Sequence, residues 1–148
     1  QQLASEVGDF IVRRADQLFS YQIAVVVDDA EQQISHVVCG ADLLDSSPRQ
    51  IYLQQLLGLP TPEYLHLPVA VDSHLANLSK QTFARPEAPD ERQSAVINAQ
   101  QLLRQPLPDS VHDASSDELW QWAIGHWDVT AVPACRTLAA PVEYSEPD

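Results

Sequence analysis

Asp28 and Asp29 stand side by side behind an apolar run. Adjacent carboxylates could hold a metal ion, but at the end of a strand such a pair more often caps the following turn. Tyr21 opens the same run, where a phenol offers one directed hydrogen bond and an apolar wall. Cys39 and Cys135 are too few for a disulfide framework or an all-cysteine zinc site. Cys39 has no neighbouring cation in sequence to lower its pKa, which argues against a reactive thiol. Leu78-Ser79-Lys80 ends a polar stretch with a hydroxyl and an ammonium; alone, such a triplet reads as a solvated loop. The five histidines, His36, His66, His74, His112 and His126, form no His-x-x-x-His or His/Cys cluster, so no zinc site is expected. Trp120, Trp122 and Trp127 read as a packing face rather than an RNA-stacking platform. Neither a Gly-rich phosphate loop nor a Gly-x-Ser-x-Gly elbow is present.

These residues need elements to position them. Residues 7–14 read as a short strand and 15–17 as a turn. Ile23-Ala24-Val25-Val26-Val27 shows no alternation and reads as a strand buried on both faces. Ile34 to Val38 reads as a second strand, ended by Cys39-Gly40-Ala41-Asp42. Ser46-Ser47-Pro48 has the form of a helix start, a hydroxyl cap with Pro in the first turn. Ile51, Leu53, Leu56 and Leu57 supply an apolar face, and Gly58 closes the helix. Alternating Leu65, Leu67, Val69 and Val71 predict one strand over 64–71, followed by a polar loop to Lys80. Residues 86–90 form a Pro-rich linker. Helices are expected over 95–103 and over 117–126, the latter capped by Ser116 or Asp117. The tail beyond Pro133 is expected to be loose. Strands alternating with a helix predict an α/β fold with a closing helical part. Too few strands are present for a complete doubly wound sheet, which points to a missing N-terminal half.

The chain has 148 residues, 8 Lys+Arg against 21 Asp+Glu, and a net charge of -13. That length fits one domain, or one domain with an appendage. The acidic balance argues against this surface alone gripping a polyanion, which calls for clustered Lys and Arg. No apolar run is long enough to span a membrane, and no secretory signal pattern stands at the start. A reducing, cytoplasmic setting is expected. Met is absent, so position 1 is not expected to be a translation start, and the chain is expected to be processed or part of something longer.

Three stretches occur in a telling order: Tyr21-Gln-Ile-Ala-Val-Val-Val-Asp-Asp29, Gly40-Ala-Asp-Leu-Leu-Asp-Ser-Ser-Pro-Arg-Gln50, and Asn77-Leu-Ser-Lys-Gln81 preceded by Tyr64-Leu-His-Leu-Pro68. Together they resemble the catalytic domain of the glutamyl-tRNA synthetases, class I enzymes. The likeness is strongest to the short glutamyl-Q tRNA(Asp) synthetase branch, whose members glutamylate the queuosine base of aspartate tRNA. The resemblance runs from about Gly8 to about Pro133. It implies the second half of a Rossmann-type parallel sheet with a mobile lysine loop over 1–85, a small helical subdomain over 86–133 and a loose acidic tail over 134–148. It implies a ligase that activates glutamate with ATP and passes it to tRNA(Asp), with this piece inactive alone.

The resemblance also distributes roles. Lys80 matches the second lysine of the Lys-Met-Ser-Lys-Ser loop, whose ammonium meets charge developing on the pyrophosphate leaving group. Ser79 and Asp42 fall in the ATP-binding stretches, and Tyr21 matches a glutamate contact. Cys39 stands where the family usually has an arginine that grips the glutamate carboxylate through a bidentate pair. A thiol offers neither the charge nor the fork. Asn77 replaces the first lysine of the loop. Arg49 reads as a structural or tRNA-facing cation. The family's His-x-Gly-His signature and its Cys/Tyr zinc-binding stretch are absent; both belong to the N-terminal half, so zinc is not expected in this chain. Mg²⁺ would come with ATP, held largely by phosphates. Cys39, Asn77 and the acidic charge also suit an alternative, a non-catalytic binding module that keeps the synthetase fold.

Overall fold

The computed structural model describes residues 8–72, 75–78, 91–110 and 113–140. The chain divides into two compact units, one up to His66 and one from Leu67 onward.

The first unit opens with a turn. Arg13 and Phe19 form a single antiparallel bridge. The Asp16 carboxylate accepts from the Leu18 backbone N–H at 3.2 Å inside the turn. The strand expected over 7–14 is therefore reduced to one bridge in its described part. Helix α1 follows, Tyr21–Glu31, and it corrects the reading of Ile23 to Val27 as a strand. A short apolar run has the same composition in a buried strand and in a buried helix, and its period cannot separate them. Here only Val26 is fully buried, while Ala24 and Val27 are exposed. One helical stripe packs and the other faces do not. The low helix propensity of valine, a few tenths of a kcal/mol per residue, is outweighed by that packing. Asp28 and Asp29 thus sit in the last turns of α1, not behind a strand.

Helix α1 ends in a Schellman arrangement. Ile34 N–H donates to Asp29 O at 2.9 Å and Gln33 N–H to Ala30 O at 3.1 Å. Gln33 takes φ of 57° to allow it. Because Ile34 is spent on the helix end, strand β1 begins later than expected, at His36–Gly40. A one-turn 3-10 segment, Ala41–Leu43, leads to helix α2, Ser47–Leu57. Pro48 lies in its first turn, and Gly58 closes it with φ of 65°. Strand β2, Glu63–Leu67, pairs with β1 in a two-stranded sheet. Glu63 N–H donates to Ser35 O at 2.9 Å beside that pair.

In the second unit, β3, Val69–Val71, pairs in parallel with β4, Thr137–Ala139. The continuous strand expected over 64–71 is thus two strands in two sheets. Pro68 separates them, since it has no N–H to give to a ladder. Residues 137–139, expected to be loose, supply β4. Helices α3, Arg92–Leu102, and α4, Ser116–Gly125, pack on each other, and they bury Val96, Gln100, Leu119 and Ala123. A capping box starts α4: Glu118 N–H donates to Ser115 Oγ, and Ser115 N–H donates back to the Glu118 carboxylate. The cap is Ser115, not Ser116 or Asp117.

The tryptophans do not share one buried face. Trp122 donates its indole N–H to Pro106 O at 3.2 Å and stacks on His126 at 3.7 Å between ring centroids. Trp120 and Trp127 stay largely exposed. With Ile124 they line an apolar groove of about 490 Å³ between α3 and α4.

Candidate functional site

Tyr21 is the first residue of α1 and is exposed, so its phenol is free to meet a ligand. Ser20, before it, has the extended backbone of a helix cap but makes no side-chain cap bond. Cys39 lies in β1, half-buried, with its Sγ 4.0 Å from Leu65 O on β2. Burial pushes its thiol pKa up, and the nearby Asp42 carboxylate adds to the rise. At neutral pH this thiol carries a proton and no charge. Asp42 sits in the first turn of the 3-10 segment directly after β1. Strand β1 therefore delivers Cys39 and Asp42 together at its C-terminal end, where ligands bind in open α/β sheets. Ser79 and Lys80 lie outside the described residues.

What leads to Lys80 is described in part. Val71 and Asn77 form an antiparallel bridge, and Leu78 N–H donates to Ala70 O at 3.1 Å. The Asp72 carboxylate accepts from Ala76 N–H at 2.9 Å, and Leu75 takes φ of 62° to turn the chain. The segment up to Leu78 is thus tied to the end of β3.

The hydrogen-bond network around α2 was not legible as a site in the sequence. Helix α2 buries Ser47, Gln50, Leu53 and Gln54. Leu56 and Leu57, expected in its apolar face, are exposed instead. Gln54 Nε2 donates to Tyr64 Oη at 3.0 Å, and Tyr64 Oη donates to Gln50 Oε1 at 3.4 Å. Gln50 Nε2 donates to Gln22 Oε1 at 3.2 Å, and Gln22 Nε2 donates to Ser46 Oγ at 3.1 Å. The Ser46 hydroxyl therefore serves Gln22 and does not cap α2. Ser47 Oγ and His66 Nε2 lie 2.8 Å apart. Burial raises the pKa of Tyr64, opposed by the Gln54 hydrogen bond and assisted by the Asp29 charge. The signal available beforehand was spacing: Ser47, Gln50 and Gln54 fall on one helical face.

Among the described residues no group of three or more His, Cys, Asp or Glu could hold a metal ion. No helix among them is long and apolar enough to cross a membrane.

Residues 2–103 match the model of tRNA synthetases class I (E and Q), catalytic domain. A glutamyl-Q tRNA(Asp) synthetase of Thiobacillus denitrificans is 52% identical over 142 residues, covering 95% of this chain and 47% of its own. The enzyme of the same name from Pseudomonas aeruginosa is 48% identical, over 93% of this chain and 47% of its own. The chain spans about half the length of the curated relatives it matches. Among solved structures, a glutamate-tRNA synthetase of Elizabethkingia anophelis superposes with a TM-score of 0.64 at 24% identity, over 92% of this chain and 31% of that one. That likeness is one of fold, and it agrees with the α/β order of elements seen here. With the family model matching well over half its residues, the chain belongs to the class I tRNA synthetases (E and Q), as part of their catalytic domain.

Proposed function

We propose that this chain is one part of a ligase that activates glutamate with ATP and transfers it to the queuosine base of tRNA(Asp). The observation that carries the reading is identity near half, over nearly the whole chain, to relatives named for that activity. Tyr21 would contact glutamate, with Cys39 beside it. Asp42 and Ser79 would belong to the ATP site. Lys80 would be catalytic, its ammonium stabilising charge on the departing pyrophosphate. Mg²⁺ would arrive with ATP. Zinc, where the protein holds it, would sit outside this chain. On this reading the protein would work in the cytoplasm. The test is glutamate-dependent ATP–pyrophosphate exchange by the full-length gene product. Exchange well above background supports the reading; none from a folded protein removes it.

One observation favours a second reading, a binding module with a degenerate substrate site. Cys39 is neutral at pH 7 and has the Asp42 carboxylate beside it, so this point of the pocket repels rather than attracts an anionic substrate. Cys39→Arg separates the two. A large gain in glutamate affinity marks a damaged or altered synthetase pocket; no gain marks a repurposed surface.

A further inference from the structure

We propose that Gln22, Gln50 and Tyr64 are positioning residues for the amino-acid pocket, holding the start of α1 in place against α2 and β2. The inference rests on the glutamate-activating reading above. Burying amides costs free energy that leucines in the same places would not. Helix α2 nevertheless buries Gln50 and Gln54 while leaving Leu56 and Leu57 exposed. Apolar packing is non-directional, whereas hydrogen bonds fix both distance and angle.

The chain of bonds has one direction throughout. Gln54 donates to Tyr64, Tyr64 donates to Gln50, Gln50 donates to Gln22, and Gln22 donates to Ser46. Two of its members, Gln22 and Tyr64, fall beside the two candidate glutamate contacts. Gln22 is the neighbour of Tyr21 in the first turn of α1. Tyr64 is the neighbour of Leu65, whose carbonyl faces Cys39 Sγ. Gln50 and Gln22 each use both amide atoms in this chain, so neither amide can rotate without breaking two bonds. The network therefore fixes Tyr21 relative to Cys39 without itself reaching the substrate.

The test is pyrophosphate exchange by the full-length protein, with glutamate and ATP varied separately, beside thermal melts. Gln22→Leu and Tyr64→Phe are expected to raise the KM for glutamate about tenfold, the worth of one directed hydrogen bond. The KM for ATP and kcat should stay within about twofold. Gln22→Glu keeps an acceptor for Gln50 and lets the Ser46 hydroxyl turn and donate, so it should restore most of the glutamate KM. An unchanged glutamate KM in Gln22→Leu overturns the inference, as does an equal rise in both Michaelis constants. Should Tyr64→Phe fail to fold, Gln22→Leu, at a half-buried site, still decides. A wild type without exchange removes the functional reading and this inference with it. That result is distinct from an active wild type with indifferent variants.

Discussion

Gln54 and Tyr64 are joined by a 3.0 Å hydrogen bond in which the amide donates to the phenol, although Gln54 is only 1% exposed. The other amide atom, Oε1, has no hydrogen-bond partner among the described residues. Half of this side chain is satisfied and half is simply packed. Gln54→Ala should cost about 2–3 kcal/mol in urea unfolding, from the cavity and the lost bond. Gln54→Met, close in volume, should cost less than about 1 kcal/mol, because Tyr64 keeps Gln50 as acceptor. Equal losses in the two variants would show that the amide, not its volume, stabilises the site.

Three helices end with the same pair of bonds, and only one of them has glycine at the left-handed position. Gly58 closes α2 at φ of 65°, Gln33 closes α1 at 57° and Arg104 closes α3 at 55°. A Cβ at position 58 would meet nothing within 4 Å, so the backbone alone sets the cost there. Gly58→Ala should destabilise by about 1 kcal/mol, and Gln33→Gly should stabilise by a similar amount. Denaturant midpoints measure both. A destabilising Gln33→Gly would mean that the glutamine side chain contributes more than its backbone strain costs.

The two thiols should differ in reactivity. Cys135 is exposed, whereas Cys39 is half-buried with its pKa raised by burial and then by Asp42. At pH 8 a disulfide reagent should label Cys135 first and Cys39 more slowly, and Asp42→Asn should speed Cys39. The linkage has a definite sign. A thiol whose folded pKa is raised contributes stability below its ordinary range, and that contribution is lost as pH rises through the folded value. Cys39→Ser should therefore flatten the alkaline side of the stability profile. Simultaneous labelling of both cysteines in the folded protein would contradict the placement of Cys39.

Lys80→Ala in the full-length protein should lower the rate of glutamate-dependent pyrophosphate exchange by about 10²–10³, the usual worth of one group aimed at transition-state charge. Lys80→Arg keeps the charge and should recover part of it. Thermal melts should not move. An unchanged exchange rate would remove the role assigned to this loop.

Local chemistry was enough to read much of this protein. Pro48 and Gly58 bracket α2 because proline fixes φ in the first turn and glycine takes the left-handed φ at the end without a Cβ penalty, and both effects act without tertiary help. Three ordered stretches carried the family likeness, and the family model covers all three. Only the tertiary structure decided the rest. Ile23 to Val27 could have packed as strand or helix, and the surface offered to α1 chose helix with Val26 inward. The apolar content of α2 promised a leucine face. The network running from Gln22 to Tyr64 turned Ser47, Gln50 and Gln54 inward instead. A buried polar group is stable only where partners from other elements meet it. Those partners lie 28 and 14 residues away from Gln50. Periodicity reads which side of a helix is apolar; it cannot read which hydrogen bonds wait on the other side.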